Sequence, residues 1–126
     1  VIAHARAARP RECCGILLGS GDEIVEGVQA RNLDDDPARF LIDPKDHIEA
    51  RRSARARGVQ VVGFYHSHPH SSAEPSTSDA AEASYADHLY LIVSLLPPSP
   101  RARLFAFDGC RFAEVRLRVV ESMRQP

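Results

Sequence analysis

The sequence has no apolar run long enough to cross a bilayer. Its longest, LYLIVSLLP at residues 89–97, falls far short of the roughly 20 residues a spanning helix needs and suits a buried strand instead. Charge of one sign is also missing. Sixteen Lys and Arg against 17 Asp and Glu leave a net charge of −1, so a strongly basic nucleic-acid binder is not the default reading. Cysteine is scarce: Cys13, Cys14 and Cys110 are odd in number and lack paired spacing, which argues against a disulfide framework. The adjacent pair is a poor disulfide and no C-x-x-C occurs, so buried thiols in a reducing, cytoplasmic compartment are expected. There is no internal repeat, low-complexity tract or long linker. At 126 residues, 44% hydrophobic and 26% charged, the chain reads as one globular domain over residues 1–126. No signal peptide is visible, although a chain beginning at Val1 without a Met leaves an upstream segment open.

What is present divides into elements of both kinds. VIAHARAARP ends an Ala-rich helix at Pro10, and CCGILLG is a short buried strand closed by the turn at Gly19 to Gly21. EIVEGVQARN reads as a second strand, DDDP breaks the chain, and ARFLI reads as a third. DPKDHIEARRSARARG carries helix punctuation: Asp43 as N-cap, Pro44 at the first position, Gly58 past the end. Its four arginines, Arg51, Arg52, Arg55 and Arg57, are expected on a solvated face. VQVVGFYHSH is β-branched and aromatic on both faces and so suits a central strand. A loop from Pro69 to Pro75 leads to a helix, STSDAAEASYADH, capped at Ser76 or Ser78. LYLIVSLL, ARLFAFDG and CRFAEVRLRVV complete the chain as strands, the last two joined at a DG hairpin signal. The class is α/β: a single mixed sheet flanked by helices.

The chemistry concentrates in FYHSHPHSSAEPSTSD, residues 64–79. Strand side chains alternate, so His66 and His68 point to one face and Ser67 to the other. Pro69 ends the strand there and leaves both rings near an opening. Asp79 falls in the first turn of the following helix, from which the intervening loop can return it as a third ligand. Two His and one carboxylate leave a fourth tetrahedral position open, the pattern of catalytic zinc, where water becomes a nucleophile with a pKa near 7. The same set suits iron in an oxygenase, and a polar solvent-facing loop is the non-catalytic alternative. A hydrolase also needs a proton carrier. Glu12, just before an apolar strand, is the candidate. Ser76 is a helix cap or an oxyanion donor.

Glu12 upstream of HSHP, Ser76 and Asp79 reproduces Glu…His-x-His-Pro-x(6)-Ser-x-x-Asp, and the chain is identified on it as resembling the JAMM (MPN-plus, Mov34/PAD-1) metalloproteases. PRECCGILLG resembles a Pro-x-Glu-x-Cys-Gly-x-Leu-x-Gly segment of the compact bacterial members. The resemblance implies that His66, His68 and Asp79 ligate one Zn2+ per chain, that Glu12 activates water and that Ser76 helps hold the oxyanion. It implies a fold similar to cytidine deaminase. The implied activity is a zinc metallopeptidase cutting the (iso)peptide bond after the C-terminal Gly-Gly of a ubiquitin-like protein, here a sulfur carrier of ThiS/MoaD type, or a peptide. No nucleic-acid or membrane partner is implied. The short chain leaves little room for the insertions with which deubiquitinating relatives grip two ubiquitins.

A non-catalytic MPN scaffold is the alternative, and the intact set of five residues speaks against it. A nucleobase deaminase needs H-x-E with P-C-x-x-C and a zincin needs H-E-x-x-H; neither is present. His4, His47, His70 and His88 read as surface or satisfied residues, and Tyr65, facing away from His66, as core.

Overall fold

The computed structural model describes residues 1–76, 79 and 85–119. In chain order these form α1 (Ile2–Ala8), β1 (Cys14–Ser20), β2 (Glu23–Ala30), α2 (Pro44–Ala56), β3 (Gln60–His68), β4 (His88–Ser94), β5 (Arg101–Phe107) and β6 (Phe112–Val115). The six strands make one mixed sheet in the order β2-β1-β3-β4-β5-β6. β3 and β4 run parallel and the other neighbours antiparallel. β3 therefore lies inside the sheet, as its two-sided apolar sequence requires.

Alternation along β1 and β3 builds two cores. On one face Cys14, Ile16, Leu18 and Phe64 pack with Tyr90, Phe107 and the α2 alanines Ala50 and Ala54. On the other, Cys13, Leu17 and Tyr65 pack with Val93, Leu95 and Ala5 of α1. Each fully buried Leu or Ile contributes about 1.5–3 kcal/mol of transfer free energy. α2 starts where the sequence places it: the Asp43 carboxylate accepts the Lys45 N–H at 2.9 Å, Pro44 follows, and Gly58 leaves the helix at φ +73°. Ala50 and Ala54, one turn apart, are its buried contact with the sheet. Arg52, Arg55 and Arg57 are exposed, whereas Arg51 is half-buried, its Nε donating to His47 Nε2 at 2.9 Å.

Three expectations need correction. ARFLI is not a strand; only an isolated bridge joins Asn32 to Ile42, because Asn32 takes up the neighbouring backbone groups that a ladder would use. The closing strand is Phe112–Val115 alone. It is entered through a four-residue turn in which Asp108 Oδ1 accepts the N–H groups of Cys110 and Arg111 and Gly109 adopts φ +102°. Cys110 sits in that turn and is exposed, unlike the buried Cys13 and Cys14. Most of STSDAAEASYADH lies outside the described residues; Asp79 within it is helical.

Candidate metal centre

β3 delivers His66 and His68 to the α2 face at the strand's C-terminal end, both almost fully buried. Asp79 joins them from the segment beyond. His66 Nε2 lies 3.2 Å from His68 Nε2, and Asp79 Oδ2 lies 3.1 Å from the first and 3.2 Å from the second. Three donor atoms thus form a nearly equilateral triangle. Ligand atoms about 2.0–2.1 Å from a tetrahedral ion stand about 3.3 Å apart, so the triangle has the size of one face of such a site. His68 Nδ1 donates to Ser72 O at 2.7 Å, which fixes a proton there and leaves Nε2 facing the other two atoms, a donor to Asp79 while the ring is protonated and a lone pair once that proton is lost.

The electrostatics fit a cation. Burial raises Asp79, yet hydrogen bonds from both histidines outweigh it and hold the carboxyl far below the usual carboxylate range. Burial lowers His66 more than Asp79 raises it. In His68 burial acts the same way, but its bonds to Asp79 and Ser72 win and its pKa rises. A cluster that retains a proton to balance its carboxylate is one in which a metal ion can replace that proton.

Glu12 stands beside this triangle. The β1–β3 register sets Cys14 opposite His66, and two residues further on brings Glu12 level with His68. Ligand atoms of Glu12, His66 and His68 lie within 4.8 Å of one another. The Glu12 side chain is buried, its carboxyl is pushed up to about 8 by that burial, and Oε1 has no hydrogen-bond partner among the described residues. An unpaired buried acceptor costs about 1–3 kcal/mol, so this oxygen is maintained at a loss unless a ligand or water meets it. His66 Nδ1 is buried and unpartnered likewise.

Ser76 and Asp79 form a reciprocal cap. The Ser76 N–H donates to Asp79 Oδ2 at 2.8 Å and the Asp79 N–H donates to Ser76 Oγ at 3.0 Å. The hydroxyl therefore spends a lone pair and keeps its own proton to donate. All five residues singled out by sequence converge on one end of the sheet.

Three contributors escaped sequence reasoning. Ser67, fully buried between the two histidines, accepts the Cys13 N–H at 2.8 Å and locks β1 to β3 beside Glu12; a small hydroxyl on a buried strand was its only signal. Phe40 stacks on the His66 ring at 4.4 Å with a 21° tilt. It was hidden in a segment read as a strand. Asn32 binds the Glu12 carbonyl. Next to the triangle a cavity of about 310 Å³ is walled by Phe40, Phe64, Tyr85 and Tyr90, with His66 and Asp79 also lining it. The remaining histidines are satisfied or exposed: His4 bonds Tyr65 Oη, His47 and His88 meet Arg51, and His70 is exposed. Tyr65 is core, its ring lying over Gly15.

Known proteins resemble this chain along most of its length. The family described as prokaryotic homologs of the JAB domain matches residues 1–107. A desampylase of Haloferax volcanii is 31% identical over 94% of this chain and 88% of its own length. A CysO-cysteine peptidase of Mycobacterium tuberculosis is 30% identical over 78% of this chain and 68% of its own. The solution structure of DSY2949 from Desulfitobacterium hafniense superposes with a TM-score of 0.87 at 33% identity, covering 96% of this chain and 86% of that one.

Proposed function

The chain belongs to the prokaryotic JAB-domain family, whose relatives named above are a desampylase and a peptidase, and on that premise we propose that it is a zinc metallopeptidase. The bond it cuts follows the C-terminal Gly-Gly of a ubiquitin-like sulfur carrier of ThiS/MoaD type. The single observation that carries this reading is the triangle of His66, His68 and Asp79 with the unpartnered Glu12 oxygen beside it. Three protein ligands with an open side fit catalytic zinc better than structural zinc, which fills four positions. The name CysO-cysteine peptidase supports a carrier joined to an amino acid as substrate.

When bound, zinc supplies Lewis acidity, acidifying water and polarising a carbonyl. The protein does the rest. His66, His68 and Asp79 hold the ion, with His68 fixed by Ser72 O and Asp79 by the Ser76 N–H. Glu12 takes a proton from water and returns it to the leaving amine, a task suited by a carboxyl whose pKa burial has raised toward neutrality. The Ser76 hydroxyl donates to the oxygen on which charge develops. Phe40 and the aromatic cavity wall exclude bulk water on one side. A Gly-Gly tail is thin enough to lie extended against this end of the sheet. The three free cysteines support a reducing, cytoplasmic setting. Among the described residues no helix is long and apolar enough to cross a membrane.

Intact-mass analysis tests the reading. A β-grasp carrier ending in Gly-Gly plus a short C-terminal extension is incubated with zinc-loaded protein and with Glu12→Ala. Cleavage after Gly-Gly by the parent alone is expected. A folded, zinc-loaded parent that leaves carrier and extension joined would overturn the substrate assignment, and loss of zinc from Glu12→Ala would overturn the role given to Glu12.

A further inference from the structure

Glu12 precedes the first residue of β1, and its main-chain groups end on a different element. Its N–H donates to Pro37 O at 3.2 Å, and its carbonyl accepts from Asn32 Nδ2 at 3.0 Å. The preceding Arg11 guanidinium donates to Asp34 O. The loop from 32 to 42 therefore holds Glu12, and Asn32 in turn holds the loop. Its Nδ2 also donates to Arg39 O at 3.1 Å, while Oδ1 accepts the N–H groups of Asp34 and Leu41, each at 2.9 Å. Two donor and two acceptor capacities are all used, each by a group of the opposite kind, so the orientation of the amide is set by its partners. The Leu33 N–H to Leu41 O bond at 2.8 Å and the Asn32–Ile42 bridge close the base of the loop.

We propose that Asn32 is the positioning residue that aims the Glu12 carboxylate at the metal centre; this rests on the reading of Glu12 as proton carrier given above. Fixing the carbonyl and N–H of one residue fixes the direction of its Cα–Cβ bond, and an acid/base group loses rate when its aim drifts by tenths of an ångström. Asn32 touches no reacting atom. It acts through Glu12, and through the loop that also presents Phe40 to His66. No other side chain is needed for the effect: removing only the amide's two donors leaves the Glu12 carbonyl without its side-chain partner and sets an acceptor against it.

Asn32→Asp is the selective test, because it keeps the acceptors for Asp34 and Leu41 and loses both donors. Asn32→Ala serves if that variant does not fold. In the metal-free protein, amide hydrogen exchange at Glu12 is expected to quicken at least about tenfold while Leu17 and Tyr65, in the core, keep their protection. In the zinc-loaded protein, assayed on the extended β-grasp carrier, kcat is expected to fall about 10- to 100-fold with KM within about twofold and zinc still one per chain. A kcat within about twofold of the parent overturns the proposal. So does a fall that tracks lost zinc or lost core protection, which marks a merely structural role. Glu12→Ala runs alongside. If it retains the parent's kcat, the reading of Glu12 fails and this inference with it; if it is inactive while Asn32→Asp is not, this inference alone fails.

Discussion

The carboxylate oxygen of Asp79 that accepts the Ser76 N–H at 2.8 Å is the same oxygen that lies 3.1 Å from His66 Nε2. One atom takes part in a helix-start cap and completes the triangle with the two imidazoles. The cap therefore dictates where the proposed third ligand stands, and the chain needs no separate device to orient it.

Because that bond comes from the Ser76 main chain, Ser76→Ala leaves it in place. The variant loses the Oγ cap on the Asp79 N–H, worth about 1 kcal/mol of stability. Its zinc content is expected to stay at one per chain while kcat falls by about 100-fold, the scale of a lost oxyanion donor. Metal analysis and steady-state kinetics on the same preparation check this, and an unchanged kcat would remove the oxyanion role.

Asp79→Asn keeps the shape of the side chain and discards its charge. The carboxylate, with the Ser72 carbonyl, raises His68 against its burial. Zinc affinity is expected to fall by more than about 100-fold, beyond the usual cost of losing an outer-shell partner. Competition with a chromophoric chelator measures it, and parent-like affinity would move the third ligand elsewhere.

Glu12 makes the metal-free chain less stable as pH rises. The Glu12 carboxyl titrates near its ordinary 4.5 when unfolded and near about 8 when folded, so between those values the folded state keeps a proton that the unfolded state has lost. The stabilisation is whole below the lower value and is lost as pH rises through the upper. His68, also raised, adds a slope of the same sign, and His66, His47 and His4, all lowered by burial, add slopes of the opposite sign. Between pH 5 and pH 8 the Tm of the chelator-treated parent is expected to move downward relative to that of chelator-treated Glu12→Gln; equal slopes in parent and variant would contradict the burial of a protonated Glu12.

Gly15→Ala probes the opposite face. A methyl there would fall 2.1 Å from the Tyr65 ring and 2.4 Å from Val28 O, and the backbone oxygen cannot yield as a flexible side chain would. A loss of about 1–3 kcal/mol or more is expected in denaturant unfolding. Zinc binding by the fraction still folded should be unchanged, because the Tyr65 side of β3 carries no ligand.

How much of this was legible beforehand follows from what each residue depends on. His66 and His68 announce themselves through strand alternation, and Asp79 and Ser76 through helix-start chemistry; both are local rules. Asp43, Pro44 and Gly58 bounded α2 for the same reason. Glu12 was legible only as part of a motif, since nothing near it in the chain shows that β1 lies against β3. Phe40 and Asn32 were not legible. ARFLI has the composition of a strand, and what keeps it out of the sheet is a side-chain amide at Asn32 that satisfies backbone groups as far off as Leu41 and Glu12. The turn at Asp108 shows the same competition on a smaller scale, where one carboxylate takes two N–H groups that a tighter hairpin would have arranged differently.

Among the described strands, β3 and β4 alone run parallel, and Asp79 lies on the connection between them. The atoms proposed to hold the ion thus come from one short stretch, whose ends meet by a closure of roughly ten residues, an event of about 10–100 ns in a free chain. Glu12 joins through the pairing of β1 with β3 across a much longer loop. The proposed centre therefore couples a short-range part, the ion cradle, to a long-range part, the proton carrier. A chain whose β1 swung away from β3 would part the proposed proton carrier from the proposed ligands while the loop between the ligands stayed as short as before.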